Sequence, residues 1–310
     1  MPVPEFGVIY SRLHEVVAPA SFARKAEALG YDAVWVTEGL ASQLAALDPI
    51  LVMAELARAT RRLRVGSCVI LSPLRNPAVL AKQVATLDFL SEGRITLGVA
   101  VGGSALSNPA DYSVSGVDQR ERGARCDEGI VVMKKLWTGE RVSHHGRFFS
   151  FDDVYMHPRP VQSPHPPLWI GGNAEGAVRR AARFGDGFVP VGQGETAYSE
   201  LRRRLAAHAA EAGRDPAAIA PAVHLYYCMA ASRPEACALV ERTLTARYGF
   251  AVSIEDDGRY LLGDADDCAK VIESYLAAGV AHFVVNTVRP LDEVERDIAR
   301  FATEVMPRFR

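Results

Sequence analysis

The sequence predicts an α/β protein, a (β/α)8 TIM barrel with an insertion between its fourth helix and fifth strand, and three observations predict it. A short apolar run, a turn and a longer amphipathic stretch alternate along the whole chain. Eight such apolar runs are found, as many as a closed barrel needs. The chain has 310 residues, 49% of them hydrophobic, which suits one barrel with its core, so 1–310 reads as a single domain. No repeat, low-complexity tract or linker divides it.

The strands are expected at Phe6–Tyr10, Ala33–Val36, Leu63–Ile70, Ile95–Ala100, Leu168–Gly171, Gly187–Val191, Ala222–Ala230 and His282–Val285. Pro19, Pro49 and Pro77 stand where a first-turn proline is tolerated, and Asp48 and Asn76 precede two of them as caps. Asp264, followed three residues later by Asp267, opens a helix over Asp266–Ala278, and Leu291–Met306 reads as the last helix. The segment Thr138–Pro167, after a fourth helix at Arg120–Leu136, is too long for an ordinary αβ connection. Its Arg147-Phe148-Phe149-Ser150-Phe151 run predicts a small hairpin, and prolines 158, 160, 164, 166 and 167 an extended strap. Ala251–Gly263 reads as a second insertion.

Lysine plus arginine number 35 against 37 acidic residues, a formal charge of -2, so no basic field exists to gather nucleic acid or anionic lipid. Five scattered cysteines, none in a Cys-x-x-Cys pair, argue for a reducing compartment. No signal-like amino terminus and no apolar run near the ~20 residues of a membrane span is present, so a cytoplasmic location without a membrane partner is expected.

Barrel enzymes assemble their sites just past the strands. Leu168-Trp169-Ile170-Gly171-Gly172-Asn173-Ala174 runs straight into the helix Glu175–Phe184, where free backbone N–H groups and close-approach glycines would cradle a phosphate; a plain turn is the alternative. The fourth strand ends in Gly98-Val99-Ala100-Val101-Gly102-Gly103-Ser104, small residues that either receive a flat ligand or let the loop Ser104–Asp118 leave the barrel. Glu38, after the second strand, is placed at the rim as a candidate catalytic carboxylate, or as the partner of a loop arginine such as Arg75. His14 and His224 are the histidines expected near the mouth, as functional groups or satisfied polar ones. His144, His145, His157 and His165 lack metal-ligand spacing, and no metal is expected. Hydrolase elbows, Walker loops and a first-strand Gly-x-Gly-x-x-Gly are missing.

Several of these segments, taken in order with others, carry a resemblance across nearly the whole chain. They are Gly30-Tyr31-Asp32-Ala33-Val34-Trp35, Asp48-Pro49, the run from Leu71-Ser72-Pro73-Leu74-Arg75-Asn76-Pro77 to Ser91-Glu92-Gly93-Arg94, Leu97-Gly98-Val99, and the Pro158-Arg159-Pro160-Val161-Gln162 strap ending at Trp169-Ile170-Gly171-Gly172. With Ala277-Ala278-Gly279-Val280 they resemble the luciferase-like flavin-dependent oxidoreductases, which include bacterial luciferase, alkanesulfonate monooxygenase and enzymes using the deazaflavin coenzyme F420. The resemblance implies cofactor phosphate at Gly171, Gly172, Asn173 and Ala174 and near Gly102, Gly103 and Ser104. It also implies a bulged third strand with a non-proline cis peptide near Cys68, Val69 and Ile70, against the flavin ring. One departure matters: many members carry an acidic residue followed by histidine after the second strand, whereas here Gly39 follows Glu38.

The expected function is thus hydride transfer between coenzyme F420 and a small organic substrate. The alternatives are an FMN-dependent monooxygenase fed by a separate flavin reductase, and a non-catalytic flavin-binding protein. The family is often dimeric, and the apolar helices over 48–59 and 76–90 suit a homodimer, beyond their first task of covering the barrel. Tyr112, Phe250 and Tyr260 hint at an apolar substrate or fold back on the barrel.

Overall fold

The computed structural model describes residues 3–11, 17–41, 46–102, 109–248, 250–254 and 258–310. In chain order the strands are β1 (Glu5–Tyr10), β2 (Ala33–Val36), β3 (Arg64–Ser67), β4 (Ile70–Leu71), β5 (Ile95–Ala100), β6 (Val142–His145), β7 (Ser150–Val154), β8 (Leu168–Gly171), β9 (Gly187–Val189), β10 (Ala220–Met229), β11 (Tyr260–Gly263) and β12 (His282–Thr287). The helices are α1 (Pro19–Ala28), α2 (Pro49–Ala59), α3 (Pro77–Leu90), α4 (Pro109–Val114), α5 (Arg122–Leu136), α6 (Glu175–Phe184), α7 (Glu195–Glu211), α8 (Arg233–Tyr248), α9 (Ala265–Ala277) and α10 (Val294–Arg300).

Parallel pairing runs β1-β2-β3-β5-β8-β9-β10-β12 and returns to β1, closing an eight-stranded barrel from the eight expected runs. The third run breaks into β3 and β4 at a non-proline cis peptide between Cys68 and Val69, where the resemblance placed one. Pro19, Pro49 and Pro77 each open a helix. Asp48 accepts the N–H groups of Ile50 and Leu51, and Asn76 those of Ala78 and Val79, so both caps stand as expected. Asp264 caps α9, which starts at Ala265 and ends at Ala277. The final helix is interrupted: a 3-10 turn precedes α10, and a π turn over Phe301–Val305 follows it.

The long insertion holds the expected hairpin, β6 against β7, and its strap is tied to α3 by one buried carboxylate. Asp88 accepts the N–H groups of Val161 and Gln162 at 2.8 and 2.9 Å and the Gln162 amide at 2.6 Å. The second insertion contains a strand that the sequence pattern did not reveal. β10 outruns β9, and β11 takes over its free edge from Tyr226↔Tyr260 to Met229↔Gly263.

Side chains inside the barrel alternate with those packed against the helices, as period-2 geometry demands. Ile9, Ala33, Trp35, Cys68, Trp169, Val189, Ala222 and Val284 form the interior cluster. The two indoles fill its middle, their ring centroids 4.9 Å apart. Glycine on three strands makes the room: a Cβ at Gly7, Gly66 or Gly187 would stand 2.2, 2.4 or 2.5 Å from an indole atom. Below them His282 packs edge-on to Trp169 at 5.2 Å and meets Glu5 at 2.9 Å. Truncating such an indole typically costs about 3–5 kcal/mol. The barrel is therefore solid beneath its carboxyl-terminal mouth, and a ligand has to sit above the tryptophans.

Candidate active site

The mouth is assembled from the first residues beyond each strand. On the β2 side, Glu38 is 3% exposed in its side chain and both of its oxygens are engaged. Oε1 accepts Arg75 Nε at 2.9 Å and also Arg75 Nη2, while Oε2 accepts the Leu71 N–H at 2.5 Å. Arg75 continues to Asp48 Oδ2 at 2.9 Å, so one chain of charges pins the turn after β4 to the start of α2. Of the two roles considered for Glu38, the geometry supplies the pairing with Arg75. Ser11 and Thr37, just past β1 and β2, share a hydroxyl hydrogen bond of 3.0 Å, and a shallow hollow lined by Tyr10, Val36, Leu47 and Val52 adjoins them. No motif signals that pair; only its place one residue past an apolar run does.

Cys68 faces the barrel interior, and burial pushes its thiol up to about 12, which keeps it protonated and unsuited to nucleophilic attack. Val69 is half-buried and lies against the β8 turn: a Cβ on Gly171 would stand 2.8 Å from its Cγ1. Ile70 points away, into the core between barrel and helices, which leaves only its backbone to face a cofactor. Gly102 has φ 67, the left-handed region that favours glycine. Gly103, Ser104 and His14 lie outside the described residues.

Gly172, at φ 116, turns the chain from β8 into α6. Ala174 is the cap of α6 and offers no side-chain acceptor; its carbonyl takes the N–H groups of Ala177 and Val178. Those of Glu175 and Gly176 then point outward at the positive end of the helix. A carboxylate in this turn would repel an anion, but Glu175 is drawn to α7 by Arg204 and by His208 Nε2 at 2.6 Å. Asn173 uses its amide to join loops rather than leave it open: Nδ2 donates to the Val191 carbonyl at 2.6 Å and Oδ1 accepts the Val191 N–H at 3.0 Å. Free backbone N–H groups, a glycine turn and no side-chain cap are the features a phosphate would need here, and they are present without a cationic side chain.

Tyr112, read as a possible substrate contact, folds back: it is 2% exposed and donates to the Val101 carbonyl. Its neighbour Asp111, also buried, accepts the Ala41 N–H at 2.6 Å and so joins the loops after β2 and β5. Tyr260 lies on β11 against Tyr226, ring centroids 5.6 Å apart, and Phe250 is 61% exposed. Among the described residues no cluster of His, Cys, Asp or Glu is arranged to hold a metal ion.

Residues 11–261 match the family model of the luciferase-like monooxygenases. A curated relative, the F420-dependent glucose-6-phosphate dehydrogenase of Beutenbergia cavernae, is 31% identical over 313 residues, covering 92% of this chain and 91% of its own. The oxygenase component of the flavin-dependent trigonelline monooxygenase of Acinetobacter baylyi is 35% identical over 142 residues, 46% of this chain and 39% of its own. Among solved structures, the monooxygenase RslO1 of Streptomyces bottropensis superposes with a TM-score of 0.83 at 24% identity, covering 99% of this chain and 100% of that one, a likeness of fold.

Proposed function

The chain belongs to the luciferase-like monooxygenase family, and from that premise we propose that it is a coenzyme F420-dependent oxidoreductase moving hydride to or from a small organic substrate. The observation that carries this reading is the nearly full-length likeness to an F420-dependent dehydrogenase, together with an anion cradle at the turn where that cofactor's phosphate is expected. The bound deazaflavin supplies the carbon that accepts or gives hydride. The protein's part is position and exclusion of water. The N–H groups of Glu175 and Gly176 and the Gly171-Gly172 turn would hold its phosphate, Val69 beside Gly171 would form a wall of the seat, and Trp35 and Trp169 close the floor. Glu38 acts through Arg75 and the Leu71 N–H as a positioning residue of the rim.

A second reading, an FMN-dependent monooxygenase supplied by a separate reductase, is favoured by the trigonelline oxygenase component, whose likeness spans under half of this chain. Fluorescence titration of the apo-protein separates the two. Micromolar or tighter binding of coenzyme F420 with weaker binding of FMN supports hydride transfer, preference for FMN supports oxygen chemistry, and binding of neither overturns both.

The exposed outer faces of α2 and α3 carry Leu51, Val79, Phe89 and Leu90, between 56 and 72% exposed, and we assign them to a homodimer contact. The cysteines are free and four of the five are buried, in keeping with the reducing cytoplasm. Among the described residues no helix is long and apolar enough to cross a membrane.

A further inference from the structure

His224 lies in β10, the long seventh strand of the barrel. Its neighbours along the strand fix its direction. Val223 and Leu225 pack in the core between barrel and helices, while Ala222 belongs to the interior cluster, so His224 faces inward, one layer above Ala222 and toward the mouth. It pairs with Val191, the residue that Asn173 clamps, which sets it two strands round the barrel from the Gly171-Gly172 turn. The Tyr226 ring lies 4.8 Å from the imidazole, centroid to centroid, and supports it from the mouth side. His224 is 8% exposed, and its Nε2 has no hydrogen-bond partner.

A buried imidazole nitrogen without a partner forfeits the hydrogen bond it would make in water, a loss that native interiors seldom leave uncompensated. Burial and the nearby positive charge of Arg259 hold the ring's pKa down to about 4, so near neutral pH it is an uncharged hydrogen-bonding group. Three strands round the mouth, beyond β2, no imidazole stands next to Glu38, because Gly39 follows it.

We propose that His224 is a ligand-contacting residue whose Nε2 hydrogen-bonds an uncharged oxygen or nitrogen of what binds in the mouth, the ring of the cofactor or the carbonyl or hydroxyl of the substrate. The inference rests on the reading of the mouth as a flavin or deazaflavin site, and among the described residues His224 Nε2 is the one fully buried imidazole nitrogen without a hydrogen-bond partner. A neutral imidazole supplies either a donor or an acceptor, according to its tautomer, and so suits both a carbonyl and an alcohol.

The test is nitrogen NMR of the full chain labelled at histidine, titrated with coenzyme F420, with FMN, and then with acetone or propan-2-ol added to the cofactor-bound protein. Binding is followed independently by cofactor fluorescence. A shift of the His224 Nε2 resonance with cofactor alone assigns the contact to the ring; a shift that waits for acetone or propan-2-ol assigns it to the substrate. His224→Phe then weakens the affinity for that ligand about tenfold, the size of one buried hydrogen bond, and His224→Gln recovers part of it. If a cofactor binds but the His224 resonance moves with none of the probes, the proposal is overturned even where His224→Phe fails to fold. Unchanged affinity in a folded His224→Phe protein overturns it as well. Failure of both cofactors to bind is a different result and removes the function reading beneath it.

Discussion

Arg75 closes on Glu38 through two of its nitrogens, and the Leu71 N–H takes the remaining carboxylate oxygen, so the acidic residue at the end of the second strand is a brace for the rim. Removing one partner of a shielded pair strands the other. Arg75 keeps Asp48 and is 20% exposed, which softens the loss. Glu38→Gln should therefore cost about 1–3 kcal/mol in chemical denaturation. Full stability combined with abolished turnover would instead make Glu38 a proton-handling group.

The proposed phosphate site can be tested by charge without disturbing shape. A Cβ at Gly176 meets nothing within 4 Å, and the first turn of a helix tolerates aspartate well. Gly176→Asp should leave the melting temperature within a few degrees of the parent and weaken cofactor binding at least tenfold by placing a carboxylate beside the phosphate. Equal cofactor affinity in the two proteins would move the phosphate elsewhere.

Space around the indoles is committed. Gly66→Ala and Gly187→Ala each drive a methyl into Trp35 or Trp169, contacts of 2.4 and 2.5 Å in the present geometry. Overpacking of this kind costs about 1–3 kcal/mol, and the midpoint of urea unfolding should fall accordingly.

Acid should weaken the fold through His224. Its folded pKa near 4 lies below the unfolded value of about 6.5, so between those values the unfolded chain binds more protons. Stability is full above the unfolded pKa and falls as pH drops from about 6.5 towards 4. The slope of unfolding free energy against pH in that window should be shallower in His224→Gln; identical slopes would mean that His224 titrates normally.

The α2 and α3 surface predicts association. Leu51→Glu combined with Phe89→Glu, at positions 72 and 59% exposed, should convert a dimer into monomer in sedimentation velocity while leaving the circular dichroism spectrum unchanged. A parent protein that sediments as a monomer at micromolar concentration removes the assignment.

Much of the fold was legible because its signals are local. A proline at the start of a helix, an Asp48 or Asn76 cap and an apolar run of strand length act within a few residues of one another, and the structure keeps all of them. The hairpin followed from an aromatic run and its turn. β11 was hidden because its four residues are too few to show a period, and only the bare edge of β10 makes them a strand. The final helix was read as continuous because its π turn has no local signature in the sequence.

The same division runs through the site. Sequence alone determined the barrel, the small-residue turn after β8 and the resemblance that put a cis peptide near Cys68. Each is written in neighbouring residues or in their order along the chain. Tertiary structure alone decided what the polar side chains do. It closed Arg75 on Glu38, folded Tyr112 back onto Val101, turned Asn173 to Val191 and left the Nε2 of His224 without a partner. The reason is that a hydrogen bond is settled within about 3 Å of space, and the pairing of β2 with the next strand brings to that distance residues as far apart in the chain as Glu38 and Arg75, a separation that no local pattern encodes.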